Sequence, residues 1–357
     1  MAPLEWSGFE VYERLASKFA PPGMEGPVRD ELQKLLSRYT SLIEIDSIGN
    51  LYAYMGTAQG PRIMVTAHMD EVALVVSDIN ERGSLHVIPQ GLLSAQNFYK
   101  QPVMVLGSKG PILGIADIAD SHEEALLQDV LIEVGVQSRK EVSDLGIRCG
   151  DRVCFSPQIR PLGRDRIVGK SADDRTGLYV LSEVARRLEG KELAIQLVLV
   201  GTVQEEGVDT FVAWAGARVA TRKLAPALAL GIDTVEAWDG MPDRERQGRP
   251  RIHLADGLGI LRGAQDLHPG LVDHLLARAS QNELQHQIIP ISATASDYTT
   301  ISRSCEGVPC AGVAIPILHP HSSMEIFKWK TVEDTVTLFL DLLAYPGDLL
   351  DIAKKLH

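Results

Sequence analysis

The stretch Arg62–Glu71, with the sequence RIMVTAHMDE, passes from an apolar run directly into a His-x-Asp motif. The apolar part predicts a buried strand that ends at His68. Two later stretches also change from apolar to polar chain, and each carries a pair of adjacent acids, Asp173–Asp174 and Glu205–Glu206. Acids this dense beside a hydrophobic core repel one another and are costly to desolvate, so they indicate a bound multivalent cation.

The chain on either side of this stretch alternates apolar strands with helical patterns. Ala194–Val200, Ala227–Ile232 and Cys310–Leu318 predict further buried strands, and Gly177–Leu188 has its apolar residues at helical spacing. Such alternation is typical of an α/β fold, in which helices cover both faces of a mostly parallel sheet. We expect this fold in residues 1–71 and 163–357.

Residues 72–162 have a different pattern, with short β-rich runs separated by glycines. The runs are Val72–Ile79, Leu85–Ile88, Val103–Gly107, Ile112–Ile115, Val130–Gly135 and Arg152–Phe155. Runs of this length and spacing predict a small antiparallel sheet or barrel. We therefore expect residues 72–162 to form a small β-barrel-like domain inserted into the α/β domain.

Composition and charge exclude several classes of function. A net charge of −12 argues against nucleic acid and anionic membrane surfaces as partners. The N-terminus lacks the features of a signal peptide, and no apolar run approaches the roughly 20 residues that span a bilayer. Four cysteines in two Cys-x4-Cys pairs predict reduced, mostly buried thiols in a cytoplasmic protein, because structural zinc sites favour closer pairs.

Possible metal ligands recur at or just past the ends of the predicted strands. They are His68, Asp173, Glu205–Glu206, Asp233 and His321. In an open α/β sheet the ligand crevice lies outside the carboxyl ends of the strands, so these side chains can converge on one site. Imidazoles and carboxylates are the ligands expected for zinc, and for cobalt or manganese in similar geometry. In a Glu-Glu pair, one carboxylate can bind a metal while its neighbour takes a proton from water.

Each of these motifs alone has an ordinary structural explanation. Asp-Asp-Arg before a helix is commonly a cap with a surface ion pair, and an Asp at a strand end is commonly a turn residue. Glu-Glu pairs are usually solvated, and His319–Ser322 could be a surface loop. Their joint order and their placement at strand ends favour a single metal site.

This order of motifs resembles the dinuclear metallo-aminopeptidases that assemble into tetrahedral particles. These are the deblocking and glutamyl aminopeptidases, some of which have been named endoglucanases. The resemblance rests on Asp46–Leu51 (DSIGNL), His68–Glu71 (HMDE), Ala172–Arg175 (ADDR), Thr202–Glu206 (TVQEE), Asp233, and His321–Ser322 followed by Glu325. It implies a fold like that of the zinc exopeptidases, with the β-rich insertion at the same place.

The resemblance implies two divalent cations per subunit, Zn²⁺ in the first place and Co²⁺ or Mn²⁺ as alternatives. Asp173 would bridge the two cations. His68 and Asp233 would complete the first site, and Glu206 and His321 would complete the second.

Other residues take supporting roles by the same resemblance. Glu205 would act as general base and then as general acid, and Asp70 would orient His68. The peptide bond between Asp173 and Asp174 would be cis. Asp297 matches an Asp that members of the family carry near the site, and its role stays open.

The chain departs from the family pattern at two places. After Glu206 it has Gly207–Thr210 (GVDT), where the family usually has Val-Gly-Leu-Arg-Gly-Ala. Before the last ligand it has Leu318-His319-Pro320-His321 in place of Arg-Tyr-x-His. His319 is therefore an alternative to His321, which we prefer because Ser322 and Glu325 follow it in register.

The function implied is removal of N-terminal residues from peptides by a metal-dependent aminopeptidase. The resemblance also implies dimers formed through residues 72–162 and twelve-subunit particles built from those dimers. An amidohydrolase or deacylase on the same dinuclear core is the alternative enzyme, and a non-catalytic metal-binding scaffold is the alternative outside enzymes. A glycosidase is disfavoured because its paired acids need no metal.

Overall fold

Four parallel strands form the centre of the main sheet. In spatial order they are β12 (Gln196–Thr202), β3 (Arg62–His68), β13 (Leu228–Glu236) and β16 (Cys310–Leu318). This arrangement comes from a computed structural model that describes residues 8–118, 125–207, 214–240, 250–292 and 295–354. Every residue of β12 and of β16 is buried, so both faces of the sheet are covered.

Antiparallel strands extend this central group on both sides. They are β1 (Ile43–Ile45) and β2 (Leu51–Gly56) beside β12, and β17 (Glu325–Lys328), β11 (Arg166–Gly169) and β10 (Arg160–Leu162) beside β16. A side branch consists of β14 (Leu258–Arg262), antiparallel to β16, and β15 (His286–Pro290), parallel to β14. The α/β fold is confirmed. The whole sheet is mixed rather than mostly parallel, because short, partly polar strands at its edges pair antiparallel to their neighbours.

Helices cover the two faces of the sheet. The helices of the described ranges are α1 (Phe9–Ala16), α2 (Gly26–Leu36), α3 (Arg139–Leu145), α4 (Ala172–Leu188), α5 (Ala215–Leu224), α6 (Pro269–Gln281), α7 (Asp297–Ile301), α8 (Trp329–Ala344) and α9 (Pro346–Ala353). Of these, α3 packs against the core of the β-rich insertion and not on the main sheet. Gly231 and Gly312 face Tyr298 of α7, and a Cβ on either would lie 2.1 or 2.4 Å from its ring. These glycines let α7 approach the sheet.

The barrel predicted from the glycine-punctuated runs is present as a closed, antiparallel six-stranded barrel. Its strands are β4 (Ala73–Ile79), β5 (Leu85–Gln90), β6 (Gln101–Gly107), β7 (Gly110–Ile118), β8 (Val130–Glu133) and β9 (Arg152–Phe155). It has a hydrophobic core of its own, separate from that of the main sheet. The domain limits at residues 72 and 162 and the role in dimerisation stay predictions.

Two local expectations differ from the structure. Strand β13 continues through Glu236, so Asp233 lies inside it, because Thr234 and Val235 still pair with Ile315 and Pro316 of β16. The four cysteines are free thiols, and two of them are exposed rather than buried. Within the described ranges, no helix combines the length and apolar character needed to cross a membrane.

Candidate metal centre

A buried carboxylate joins the ends of two central strands. His68 ends β3 and lies in register with Thr202, the last residue of β12. Asp70, two residues past His68, accepts hydrogen bonds from the backbone N–H groups of Glu205 (3.0 Å) and Glu206 (2.8 Å). The turn after β12 is therefore tied to the turn after β3, and the two glutamates are brought to the histidine.

A first cluster of ligand atoms forms around His68. Its Nε2 lies 3.0 Å from Oδ1 of Asp173 and 3.9 Å from Oδ1 of Asp233. The Ser296 hydroxyl and the Thr234 N–H donate to the Asp233 carboxylate and fix its orientation. One ligand atom from each of the three residues lies within 4.8 Å of the others, so the group could hold a metal ion.

A second cluster shares Asp173 with the first. Nε2 of His321 lies 3.2 Å from Oε1 of Glu206 and 3.6 Å from Oδ2 of Asp173. Each oxygen of Asp173 thus faces a different histidine. This group could also hold a metal ion, as could the overlapping group of His68, Glu205 and Glu206.

The segment that connects barrel strands β5 and β6 holds His321 in place. Nδ1 of His321 lies 2.6 Å from the carbonyl oxygen of Leu92, and the Asn97 side chain donates to the His321 carbonyl at 3.0 Å. Since a carbonyl only accepts, Nδ1 carries the proton, and the Nε2 lone pair faces the carboxylates. A hydrogen bond of this kind on the far ring nitrogen is the usual way to orient a metal-binding histidine.

The remaining predicted residues lie close to the two clusters. His319 is exposed and belongs to none of the three groups. Nδ1 of His68 is 3.6 Å from Asp70 Oδ1, which is longer than a hydrogen bond. Asp297 is buried and accepts a hydrogen bond from the Thr202 hydroxyl at 2.7 Å. The bond between Asp173 and Asp174 is cis.

The sequence did not point to Trp214, whose indole N–H donates to Oε1 of Glu205 at 2.7 Å. Trp214 follows the stretch where the chain departs from the family pattern, so no motif marks it. The departure after Gly207 itself falls on residues that lie outside the described ranges. The sequence did not indicate Leu92 and Asn97 either, because they lie between barrel strands β5 and β6, far from His321 in the chain.

The electrostatics of the two clusters favour a bound cation. Within the described ranges, none of the carboxylates of Asp173, Asp233, Glu205 and Glu206 forms an ion pair with Lys or Arg. Burial raises the pKa of Asp233 to about 7 and, together with nearby acids, raises the pKa of Glu205 well above its usual range. Burial also acts on Asp173, but His321 and His68 outweigh it and lower the pKa of that carboxyl.

A buried network of charged side chains, centred on Glu71, lies next to the two clusters in the chain. Glu71 accepts hydrogen bonds from the Lys170 ammonium and from the Ser171 hydroxyl (2.7 Å), and Arg175 lies 3.5 Å from it. Arg175 also donates to the main-chain carbonyl of Asp70 at 3.0 Å. The network therefore holds the chain on both sides of the site, at residues 69–71 and 170–175.

A cavity of about 350 Å³ opens beside both clusters. Its wall contains Asp173, Asp233, Glu206 and His321 from the clusters, together with Glu205. Apolar wall residues include Leu92, Trp214, Val235, Leu261 and Ile291. A ligand in this cavity would therefore contact the acidic centre on one side and apolar side chains on the other.

The family follows from a comparison with known proteins. Residues 49–338 match the family model described as M42 glutamyl aminopeptidase. The chain belongs to this family. The resemblance that the sequence motifs indicated is confirmed, and the M42 chain is an aminopeptidase, a hydrolase that removes N-terminal residues.

Individual members show how far the similarity extends. The M42 chain is 27% identical over 347 residues to the lysyl aminopeptidase of Pyrococcus furiosus, covering 93% of this chain and 96% of that one. The structure of aminopeptidase APDkam598 from Desulfurococcus kamchatkensis matches with 30% identity, 99% of both chains and a TM-score of 0.88. Pyrococcus horikoshii TET1 peptidase, which can assemble into a tetrahedron or a large octahedral shell, shares the fold at 23% identity and a TM-score of 0.80, over 94% of this chain and 98% of that one.

The buried network leads to a stability prediction for Lys170→Met. Removing the ammonium leaves the Glu71 carboxylate buried with its main partner missing, which costs about 3–5 kcal/mol of unfolding free energy. Urea unfolding followed by circular dichroism would measure it. Lys140→Met is the matched control, because Lys140 pairs with Asp144 in solvent and its loss leaves stability unchanged. Equal unfolding midpoints for Lys170→Met and the native chain would contradict the role assigned to the network.

Proposed function

We propose that this aminopeptidase uses two divalent cations that share Asp173. His68 and Asp233 complete one site, and Glu206 and His321 complete the other. The observation that carries this proposal is the pair of clusters in which each oxygen of Asp173 faces a different histidine. Two imidazoles and three carboxylates form a donor set suited to Zn²⁺, with Co²⁺ or Mn²⁺ as alternatives.

The chain's own residues would bind and orient the substrate. The free N-terminal amine of a peptide would bind at the polar end of the cavity, beside Asp233, Glu205 and Glu206. The first side chain of the peptide would lie against the apolar wall. A site that takes up the free N-terminal amine suits an exopeptidase.

Proton transfer is assigned to Glu205. Bound cations would polarise the scissile carbonyl and make the attacking water more acidic. The Glu205 carboxylate would accept a proton from this water as the new C–O bond forms. It would then donate that proton to the leaving amine nitrogen as the C–N bond breaks, which restores the carboxylate.

The number of bound metal ions tests whether two cations share Asp173. Apoprotein dialysed against Zn²⁺ is expected to hold two ions per chain, measured by plasma mass spectrometry. Asp173→Asn is expected to lose both ions, because both sites use that carboxylate, whereas Asp233→Asn loses one. The exposed Asp144→Asn is the control and keeps two. A native chain with fewer than one ion, or an Asp173→Asn variant that keeps two, would refute the dinuclear proposal.

The role of Glu205 as general base is tested by Glu205→Gln, which keeps the size of the side chain and removes its basicity. We expect kcat to fall by about 10²–10⁴-fold, the usual scale for a lost general base, with metal content unchanged. The assay uses aminoacyl chromogenic substrates with Zn²⁺, Co²⁺ or Mn²⁺.

The same assay includes a surface variant as control and N-acetylated substrates, which distinguish an aminopeptidase from a deacylase. Glu81→Gln, at an exposed position between barrel strands β4 and β5, is the control and should retain full activity. Undiminished kcat in Glu205→Gln would exclude the proposed base. Faster hydrolysis of acetylated than of free amines would favour a deacylase on the same centre.

We also infer that the chain forms twelve-subunit particles from dimers made through the barrel. Support comes from the assembly named for the TET1 peptidase and from Leu113 and Ile115 of β7, which stand 59% and 44% exposed on the barrel surface. Enclosure of the sites would restrict substrates to short or unfolded peptides.

Sedimentation velocity tests the assembly. The native protein is expected to sediment as twelve copies of the 39.0 kDa chain. Leu113→Asp combined with Ile115→Asp should give smaller species, because charges at a dimer contact are desolvated on association. A native protein that sediments as a monomer would refute the assembly and leave the chemistry untouched.

A further inference from the structure

Trp214 makes direct contact with the side chain assigned as the base. Its indole N–H donates to Oε1 of Glu205 across 2.7 Å, and Glu205 is 8% exposed. An indole nitrogen can only donate, so this bond has one direction. A donor to a carboxylate forms a short, strong hydrogen bond, and it fixes the orientation of the carboxyl group.

The backbone brings Trp214 to this position through a clamp around Gly216. The Gly216 N–H donates to the Val203 carbonyl at 3.0 Å, and a Cβ at residue 216 would lie 2.3 Å from that oxygen. Asn50 joins the same two residues, since it accepts from the Val203 N–H and donates to the Gly216 carbonyl, both at 3.0 Å. The start of α5 is thereby fixed to the chain segment that leads into Glu205.

Trp214 itself has a left-handed backbone, with φ of 58°. A bulky residue rarely adopts this conformation, and its presence at a site commonly reflects a constraint imposed by function or by the surrounding packing. Here the conformation places the indole in the wall of the cavity, with its N–H on Glu205.

We propose that Trp214 is a positioning residue that reserves Oε2 of Glu205 for proton transfer. The indole occupies Oε1 whether the carboxyl group is ionised or protonated, because Oε1 is an acceptor in both states. The water proton would therefore bind at Oε2, and the same oxygen would release it to the leaving amine. This inference rests on the proposed role of Glu205.

The first test compares Trp214→Phe with the native chain. Phenylalanine keeps an aromatic ring in the wall and removes only the donor. We expect kcat to fall roughly 10- to 100-fold, the range for a lost hydrogen bond to a charged group, with KM within about twofold and two Zn²⁺ ions per chain. Trp238→Phe, which changes a tryptophan outside the cavity wall, is the control. A raised KM with unchanged kcat, or a loss of zinc, would overturn the positioning role.

The second test needs no activity and no metal. The difference between the emission spectra of the native chain and Trp214→Phe isolates the fluorescence of Trp214. This emission should shift in Glu205→Ala, which removes the acceptor, and should persist in Glu205→Gln, which keeps an amide oxygen. An unchanged spectrum in Glu205→Ala would show that the hydrogen bond is absent and would refute the inference. If the native chain proved inactive on every substrate, the proposed function would fail, while the emission would still report on the contact.

Discussion

The Asp70 carboxylate bonded to two successive backbone N–H groups is the interaction on which the centre depends. It joins the segment after β3, which carries His68, to the segment after β12, which carries Glu205 and Glu206. Asp70 is fully buried, and the Arg175 guanidinium donates a hydrogen bond to its main-chain carbonyl. Because carboxylates in a low-dielectric environment repel one another, this link offsets part of the repulsion among the acids that follow the two strands.

The two members of each pair of adjacent acids lie in different surroundings. Asp173 points into the centre, while Asp174 is buried and accepts a hydrogen bond from the Gly177 N–H at 2.9 Å. Glu206 lies beside His321, while Glu205 is turned to the Trp214 indole. Neighbouring carboxylates therefore differ in their contacts, and this difference allows one member of each pair to bind a cation while the other has a separate role.

Much of the fold could be predicted from sequence because it depends on local patterns. Cys310–Leu318 and Arg152–Phe155 have the predicted bounds, since an apolar run and a short β-rich run between turn residues each specify a strand. The order of the motifs led us to expect that His68, Asp173, Glu206, Asp233 and His321 converge, and the structure brings their ligand atoms together although Asp233 lies inside β13. Their role as metal ligands stays a prediction.

Other features depend on contacts that leave no local signal. The barrel carbonyl that orients His321 belongs to Leu92, 229 residues away in the chain. Trp214 depends on a glycine clamp formed with Asn50, which no periodicity marks. Strand β13 runs past Asp233 because its partner strand continues, and pairing with a distant strand cannot be read from one segment.

The proposed position of Asp173 between two cations can be tested directly. Anomalous X-ray diffraction at the zinc absorption edge, from crystals of the zinc-loaded protein, locates the ions without any assumption about activity. We expect two peaks per chain, one beside His68 and Asp233 and the other beside Glu206 and His321, with the Asp173 carboxylate between them. A single peak, or two peaks that do not share Asp173, would contradict the proposal.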